Sequence, residues 1–136
     1  MLLTGSHCNT IKQNVVENNG GEGGIKLVHS SNNLVTENNV TGNNQWGIRV
    51  LGDQHDNLIY HNNFIDNKVS DGLQVSMLGS SMNMPVNSSI WDNGASGNYW
   101  SDYLTRYPNA TEIDGTGIGD TPFYINENNI DHYPLM

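Results

Sequence analysis

Apolar and polar residues recur along this chain with a period of 24 residues. Each copy begins with an asparagine, carries apolar residues at offsets +2 and +7, and carries further asparagines at +5 and +10. Copies with all of these offsets start at Asn9, Asn33 and Asn57. A weaker copy starts at Asn83, two residues later than the period requires, and its matching positions are Pro85, Ser88, Ile90 and Asn93. The shared offsets indicate a repeat protein.

Between the asparagine blocks lies a second recurring segment, a glycine followed by apolar, polar and apolar residues. It reads Gly-Ile-Lys-Leu at 24–27, Gly-Ile-Arg-Val at 47–50 and Gly-Leu-Gln-Val at 72–75. This alternation predicts a short β-strand with two side chains inward and one outward. A stack of such repeats would be a parallel β-helix or a leucine-rich repeat. The Leu-x-x-Leu-x-Leu framework of the second class is absent.

The repeat therefore predicts an all-β protein, a right-handed parallel β-helix of about four rungs of roughly 24 residues each. Asparagine and glycine suit the corners because they reach positive φ at low cost. Asparagines at equal offsets can also stack into amide ladders. In this register Ile11, Val35 and Ile59 align on successive rungs. The predicted core residues are Val40, Ile48, Ile59, Phe64 and Leu73.

The composition narrows the classes of function. The chain has 136 residues, of which 22 are asparagine and only 35% are hydrophobic, but the fixed spacing of the apolar residues argues against disorder. A net charge of −9 argues against nucleic acid as a partner, because few cations could neutralise phosphates. The single cysteine, Cys8, excludes an internal disulfide framework. No apolar run approaches the ~20 residues of a membrane span.

The last third of the chain differs from the repeats. Residues 86–136 contain five of the six tyrosines, two of the three tryptophans, and seven acidic residues against one basic residue. Clustered aromatic side chains can close the open end of a β-helix. We therefore divide one continuous domain into rungs at 1–85 and a last rung with an aromatic C-terminal cap at 86–136. The predicted cap side chains are Trp91, Tyr99, Trp100, Tyr103, Tyr124 and Tyr133.

The rungs and the tail together resemble a known family. The Asn-x-Ile-x-x-Asn-x-Val-x-x-Asn rungs are similar to the repeats of NosD-like proteins, which include the carbohydrate-binding and sugar-hydrolase (CASH) domains. The tail is similar to the end of archaeal cell-surface members of this family. The matching segments are Trp-Asp-Asn-Gly at 91–94, Gly-Asn-Tyr-Trp-Ser-Asp-Tyr at 97–103, Asp-Gly-Thr-Gly-Ile-Gly-Asp-Thr-Pro at 114–122 and Asp-His-Tyr-Pro-Leu at 131–135.

This resemblance implies an extracellular, cell-surface or periplasmic protein. Its main expectation is a non-catalytic scaffold that interacts with a polysaccharide or a surface-layer partner. One alternative is an accessory in copper-site maturation, which is the role of NosD itself. A second alternative is a polysaccharide-modifying enzyme of epimerase or lyase type. The chain opens inside a rung and carries no signal peptide, which predicts a C-terminal fragment of a longer β-helix.

The enzyme and carbohydrate alternatives each have candidate residues. The tetrapeptide at 53–56 resembles the Asp-Pro-His-Asp motif of β-helix mannuronan epimerases, which makes Asp53, His55 and Asp56 the candidate catalytic residues. Acid–base chemistry also requires such groups within hydrogen-bond reach of one proton. Trp46 is the candidate ligand-binding residue, because an exposed aromatic ring on a long sheet can stack on a sugar. Local packing is the alternative for Trp46.

Two metals are candidate cofactors. Glu112, Asp114, Thr116 and Asp120 stand at positions 1, 3, 5 and 9 of a calcium-loop pattern, although its position 12 is not a glutamate. A glycine-rich turn without metal is the alternative. Copper is implied by the family resemblance, and methionine and histidine are ligands that suit it. Structural packing is the alternative for the methionines. The residues considered for copper are Met77, Met82, Met84, His55 and His61.

The sequence of the amino-terminal rung predicts a further interaction, self-association of the chain. Because no coil covers it, we expect the first rung to expose apolar side chains along an unpaired edge, such as Leu3, Ile11 and Ile25. Exposed strand edges template further pairing. The chain would then self-associate through this rung or fray there.

Overall fold

The computed structural model describes residues 1–67, 72–79 and 88–136, in which regular structure is almost entirely β. The strands are β1 (Leu2–Thr4), β2 (Thr10–Lys12), β3 (Val15–Glu17), β4 (Ile25–Val28), β5 (Leu34–Thr36), β6 (Asn39–Thr41), β7 (Ile48–Leu51), β8 (Leu58–Tyr60), β9 (Asn63–Ile65), β10 (Val75–Leu78), β11 (Tyr99–Trp100), β12 (Phe123–Asn126) and β13 (Asn129–Asp131). A single helical turn in the described ranges, α1 (Tyr103–Arg106), follows β11.

The strands assemble into three parallel sheets that wind as a β-helix. The first sheet has the order β1-β4-β7-β10, the second β2-β5-β8, and the third β3-β6-β9-β11. Each of the first three coils therefore contributes one strand to each sheet. A fourth row follows, made of β10, an isolated bridge at Ile90, and β11. The hairpin of β12 and β13 is antiparallel and lies beyond this row. The predicted parallel β-helix is confirmed.

The register of the first three coils agrees with the sequence repeat. Ile11 pairs with Val35, and Val35 pairs with Ile59 in the second sheet. In the third sheet Val40 pairs with Phe64. All five of these side chains are at most 5% exposed. Strands of three residues in these sheets place only the central side chain inward, so one apolar column runs down each sheet.

Glycines before the strands of the first sheet leave room for side chains of the neighbouring coil. A Cβ on Gly24 would lie 2.9 Å from Nδ2 of Asn43, and a Cβ on Gly47 would lie 2.8 Å from Nδ2 of Asn67. The apolar–polar–apolar segments after these glycines form β4 and β7, as predicted. The glycines are needed because any side chain at these positions would displace a corner asparagine.

The third glycine-led segment is out of register, and the prediction that Leu73 lies in the core is wrong. Val75 pairs with Ile48, two residues later than the pattern predicts. Gln74 therefore takes the place of the earlier glycines, and its Oε1 accepts hydrogen bonds from N–H and Nδ2 of Asn67. This hydrogen bond requires a side chain at position 74, whereas the equivalent positions of the earlier coils are glycines. Leu73 is displaced to a half-buried position outside the strand.

The fourth copy of the repeat also has a different register. Ile90, predicted at offset +7, instead forms a parallel bridge to Leu58 at offset +1. Trp100 pairs with Phe64 and holds the +7 position. A longer loop separates the two halves of this copy, so a fixed period cannot locate them. Asn83 and Pro85 lie outside the described residues.

The aromatic cap is confirmed, but its membership differs from the prediction. The ring of Trp100 stacks on Phe64 with centroids 4.7 Å apart, and on Phe123 with centroids 4.2 Å apart. Tyr124 and Tyr133 do not pack in the cap, because they are 50% and 36% exposed. Strand alternation in β12 turns Phe123 inward and Tyr124 outward. Of the other predicted cap residues, Trp91, Trp100 and Tyr103 are buried and Tyr99 is half-buried.

The first coil buries most of the side chains predicted to be exposed there. Ile11 is 5% exposed and Leu3 is half-buried, and Ile25, which lies in β4 of the second coil, is fully buried. The three sheets face one another across a packed interior, so inward side chains of one coil cover each other as well as the coil below. The prediction that apolar side chains are exposed along this edge is therefore wrong, whereas the strands β1, β2 and β3 pair on one side only, as predicted. The exposed apolar side chains of this coil include Leu2 and Val15, which point outward.

Candidate functional site

Three columns of asparagine run along the corners of the β-helix. In each column the backbone N–H and the Nδ2 of one asparagine donate to Oδ1 of the asparagine one coil later. Asn33 makes both bonds to Asn57 at 3.0 Å, and its Nδ2 also lies 3.2 Å from the carbonyl oxygen of Ser31. The predicted amide ladders are thus present. The columns are Asn9–Asn33–Asn57, Asn14–Asn38–Asn62–Asn98 and Asn19–Asn43–Asn67.

The ladder asparagines do not supply the positive φ angles that we predicted for them. The left-handed residue at each corner is the one directly before the ladder asparagine. It is often neither asparagine nor glycine, as at Cys8 (φ 57°), Glu37 (φ 55°) and His61 (φ 56°). The asparagine instead stabilises the corner by hydrogen bonding. The fixed hydrogen-bond pattern holds the preceding residue in a conformation that costs about 1–2 kcal/mol.

The cap ends the ladder through Asn98 with an acceptor from β13, and a second β13 side chain holds Ser89 in the same way. Oδ2 of Asp131 accepts the backbone N–H of Asn98 at 2.7 Å and the indole Nε1–H of Trp100 at 2.9 Å. Oδ1 of Asn129 accepts the backbone N–H of Ser89 at 2.9 Å and the indole of Trp91 at 3.1 Å. Asp131 and Asn129 therefore use the same motif, one acceptor shared by a backbone amide and a buried indole.

Asp131 is fully buried, and its carboxyl is the most perturbed acid of the described chain. Burial raises its pKa to about 6, and the hydrogen bonds from Asn98 and Trp100 oppose that effect. Gly97 makes room for it, because a Cβ there would lie 1.7 Å from Oδ1 of Asp131. A buried acid commonly marks a functional site. In this protein, the hydrogen bonds of Asp131 indicate that it closes the ladder through Asn98.

The structure brings two of the three candidate catalytic residues together. Nδ1 of His55 lies 2.9 Å from Oδ2 of Asp56, and the two side chains are 66% and 64% exposed. Asp53 is also exposed, whereas Gln54 between them is buried. The pair lies on an open corner between β7 and β8, where bulk water surrounds both groups. The geometry supplies no shielding for proton transfer, and the catalytic role stays a prediction.

Trp46, the candidate carbohydrate-binding residue, is half-buried. The guanidinium of Arg49 lies 4.5 Å from the centroid of its ring, which occupies one ring face. Trp46 also lines a groove of about 240 Å³ together with Leu73 and Ile125. Local packing therefore accounts for part of its surface, and the groove leaves another part open to a ligand.

The four candidate calcium ligands lie in one loop of the cap, and three of them already accept or donate hydrogen bonds within it. Glu112 accepts a backbone N–H of the loop, and Thr116 Oγ1 donates to a loop carbonyl at 2.6 Å. Asp120 accepts the N–H of Thr111 at 3.0 Å and its hydroxyl at 2.8 Å, and these bonds lower the pKa of Asp120. Asp114 is exposed. Calcium binding here stays a prediction.

The candidate copper ligands are dispersed. Met77 is half-buried and packs against the core, while Met82 and Met84 lie outside the described residues. His55 and His61 lie at different corners, and His61 contacts a serine hydroxyl through Nε2. Within 1–67, 72–79 and 88–136, no three histidine, cysteine or acidic side chains are placed to share a metal ion. These donors do not fit copper as a preformed site.

The sequence did not single out a groove of about 260 Å³ between the last row of the second sheet and β13. Nδ1 of His132 lies 2.9 Å from Oδ2 of Asp92, whose side chain is 10% exposed. Burial opposes ionisation of Asp92, but hydrogen bonds from His132 and Gly94 outweigh it and lower its pKa. The two residues are 40 positions apart and in no repeat, so spacing could not reveal the pair.

Three parallel sheets, corner ladders of asparagine and a closing cap together define a parallel β-helix repeat protein. A family model described as "Periplasmic copper-binding protein (NosD)" matches residues 1–105. The chain belongs to the NosD family, as its rungs and tail predict. It is also 30% identical over 109 residues to the probable ABC transporter binding protein NosD of Stutzerimonas stutzeri, a match that covers 80% of this chain. No solved structure matches the chain.

The chain spans 22% of the length of that curated relative. Neither description mentions carbohydrate, so that part of the predicted role stays a prediction. Among the described residues, the structure contains no helix that is long and apolar enough to cross a membrane.

Proposed function

We propose that this chain is part of an exported, non-catalytic scaffold of the NosD type, which acts through the surfaces of a rigid β-helix. The proposal is supported by the buried polar side chains, whose hydrogen-bonding groups are engaged within the fold. Asn38 and Asn43 are buried, and their amides are engaged in the ladders. Side chains saturated in this way stiffen the fold and are not free to act on a substrate. The periplasmic description of the family supports export.

The location of the candidate acid–base pair supports the non-catalytic part of the proposal. His55 and Asp56 are exposed to bulk water, whereas acid–base catalysis needs groups held within hydrogen-bond reach of a bound substrate. Incubation of the purified chain with polymannuronate, followed by NMR of the product, tests this point. We expect no epimerisation and no cleavage. His7→Ala is the control, because His7 lies at the same corner two coils earlier. Turnover that is lost in His55→Ala and retained in His7→Ala would show that the protein is an enzyme and not a scaffold.

Export is tested separately, by fractionating cells that produce the intact parent protein. We expect the protein in the periplasmic, surface or secreted fraction. Recovery in the cytoplasm alone would contradict export, whatever the enzymatic assays give.

A copper-related role is the second candidate, and the description of the family favours it. Because the described donors are dispersed, we propose that such a role would act through the scaffold as a whole. A competition titration of Cu(I) against bathocuproine disulfonate tests this. We expect the chelator to retain the metal against this chain. Tight capture of one copper per chain that is lost in Met77→Leu or His55→Ala would show a site in the described residues instead.

A neutral glycan is the third candidate, because Trp46 lines an open groove. The negative charge of the chain disfavours acidic polysaccharides. Calorimetric titration with neutral oligosaccharides should show binding that is weakened in Trp46→Ala and unchanged in Tyr124→Ala. Tyr124 is a suitable control because it is an exposed aromatic on a different element. Equal binding by both variants would remove Trp46 from the site.

A further inference from the structure

Three segments of the chain match the Asn-x-Ser/Thr motif that receives an asparagine-linked glycan in exported proteins. They begin at Asn39, Asn87 and Asn109. In a chain with 22 asparagines the motif is common, so its structural context must distinguish the three segments. Transfer to a folded protein requires that the asparagine and the hydroxyl residue two positions later reach the transferase together. Surface loops permit this, whereas strands paired on both sides do not.

The first motif lies within the third sheet. Asn39 and Thr41 are the two ends of β6, and both are half-buried. β6 pairs with β3 on one side and with β9 on the other. Hydrogen bonds to two neighbouring coils therefore hold its backbone extended, and the motif cannot bend away from the sheet without breaking them.

The second motif is closed at its third position. Asn87 lies outside the described residues. The hydroxyl residue of this motif is Ser89, which is 5% exposed and whose Oγ is buried. The backbone N–H of Ser89 also donates to Oδ1 of Asn129 at 2.9 Å. A transferase could not reach this hydroxyl while the cap is in place.

The third motif lies on a turn of the cap, where Asn109 and Thr111 are both exposed. The backbone N–H of Ala110 donates to the carbonyl oxygen of Tyr107 at 3.0 Å and closes the turn. Thr111 donates its backbone N–H and its hydroxyl to the carboxylate of Asp120, which is itself exposed. The turn therefore presents the amide of Asn109 to solvent, with the hydroxyl of the motif two residues away and also at the surface.

We propose that Asn109 is an N-glycosylation site, and that the other two motifs are not modified in the folded protein. Nδ2 of Asn109 bonds to the anomeric carbon of an oligosaccharide, and the bond from that carbon to a lipid diphosphate carrier breaks. The amide proton passes to a base of the transferase, and the lipid diphosphate leaves. The proposal rests on the exported scaffold role, because this modification belongs to exported proteins.

A transfer reaction in vitro tests whether the fold selects Asn109. The folded chain is incubated with a single-subunit oligosaccharyltransferase that requires only Asn-x-Ser/Thr and with a lipid-diphosphate-linked oligosaccharide, and peptide mapping by mass spectrometry locates the product. Synthetic peptides of residues 36–43 and 106–113 provide the unfolded comparison. We expect both peptides to be modified. In the folded chain Asn109 should be modified at least about tenfold faster than Asn39, because a strand paired on both sides rarely opens.

Three variants of the full chain assign the product to the motif. Asn109→Gln should abolish the glycopeptide and leave the fold intact, because this side chain is exposed. Thr111→Ser should retain the glycopeptide, since serine also completes the motif, whereas Thr111→Val removes the hydroxyl and should lose it. Equal rates at Asn39 and Asn109 in the folded chain would overturn the proposal. A folded chain unmodified at Asn109, with the matching peptide modified, would also overturn it.

Peptide mapping of the intact parent protein from producing cells tests whether the site is used. We expect a glycopeptide that contains Asn109, and an unmodified Asn39, in the exported fraction. Exported protein without a glycan on Asn109 would overturn this inference and leave the scaffold role intact. Recovery in the cytoplasm alone would instead contradict export, and the modification with it.

Discussion

At the residue scale, the corners of the β-helix depend on asparagine used as a structural amide. Each interior ladder asparagine accepts two hydrogen bonds from one coil and donates to the next, as Asn38 does with Asn14 and Asn62. A residue type that is usually read as a loop former thereby becomes the buried framework of the corners. The ladder ends need an acceptor only, which explains why the last position of one ladder is an aspartate, Asp131.

Asp131 predicts a pH dependence of stability. Its folded-state pKa of about 6 lies above the ordinary value of 3.8, so the folded state holds the proton more tightly than the unfolded state. This contribution is complete below the ordinary value and is lost as pH rises through about 6. Between pH 4 and 7 the free energy of unfolding should fall by up to roughly 3 kcal/mol from this group.

Guanidinium titrations of the wild type and of Asp131→Asn measure the effect. The wild-type midpoint should decrease from pH 4.5 to pH 7, and the slope should flatten in the variant. Asp92, whose pKa is lowered, acts in the opposite direction and only at more acid pH. An identical slope in both proteins would show that Asp131 is not the group that titrates.

Cys8 predicts a stabilising substitution. It is exposed and adopts a φ of 57°, a conformation that asparagine and glycine tolerate better than other residues. Cys8→Asn should therefore raise the free energy of unfolding by about 1 kcal/mol. Cys8→Ala is the matched control and should give no gain, because alanine has a Cβ and no local hydrogen bond to offer. Equal effects of the two substitutions would mean that the thiol itself, and not the backbone, limits stability.

At the element scale, sequence reasoning succeeded where the coils are copies of one another and failed where they are not. The single column of Ile11, Val35 and Ile59 in the second sheet follows from equal offsets alone. The last row could not be found in this way, because Gln74 replaces a glycine and a longer loop precedes Trp100. These changes adapt the last coil to the cap, so they are determined by packing against the cap and not by the repeat.

The backbone conformation of the corners and the cap groove could not be predicted from the sequence, for related reasons. Glu37 and His61 adopt positive φ although their residue types do not predict it, since the following asparagine fixes the turn. Asp92 and His132 meet because β13 folds back across the last row. Chemistry that arises from tertiary contact leaves no periodic signal in the sequence.

Gly97 predicts how tightly the cap is packed on the β-helix. A Cβ at this position would lie 1.7 Å from Oδ1 of Asp131, so the backbone or the buried carboxylate must move. Gly97→Ala should therefore destabilise the protein by about 3 kcal/mol. Gly20→Ala is the control, because a Cβ there meets no atom within 4 Å. Its effect should stay within about 0.5 kcal/mol. Comparable losses in the two variants would refute close packing at Gly97.

At the scale of the whole molecule, the chain is a β-helix of the NosD family whose last row is covered by a cap. Its interior is apolar along the first three coils, and the proposed scaffold would act through its surfaces. The carboxyl end is closed by an aromatic stack, in which Arg106 lies 4.3 Å from the ring centroid of Phe123.

Native-state amide exchange of the unmodified chain tests this picture most directly. Repeat proteins open from their least supported end. We expect the slowest exchange in the middle coil and the cap, in β5, β6, β8, β9 and β11, and faster exchange by about tenfold or more in β1, β2 and β3. The gradient should run along the axis and not between sheets. Uniform protection, or strongest protection in β1–β3, would contradict a β-helix whose first strands pair on one side only and whose last row is covered by the cap.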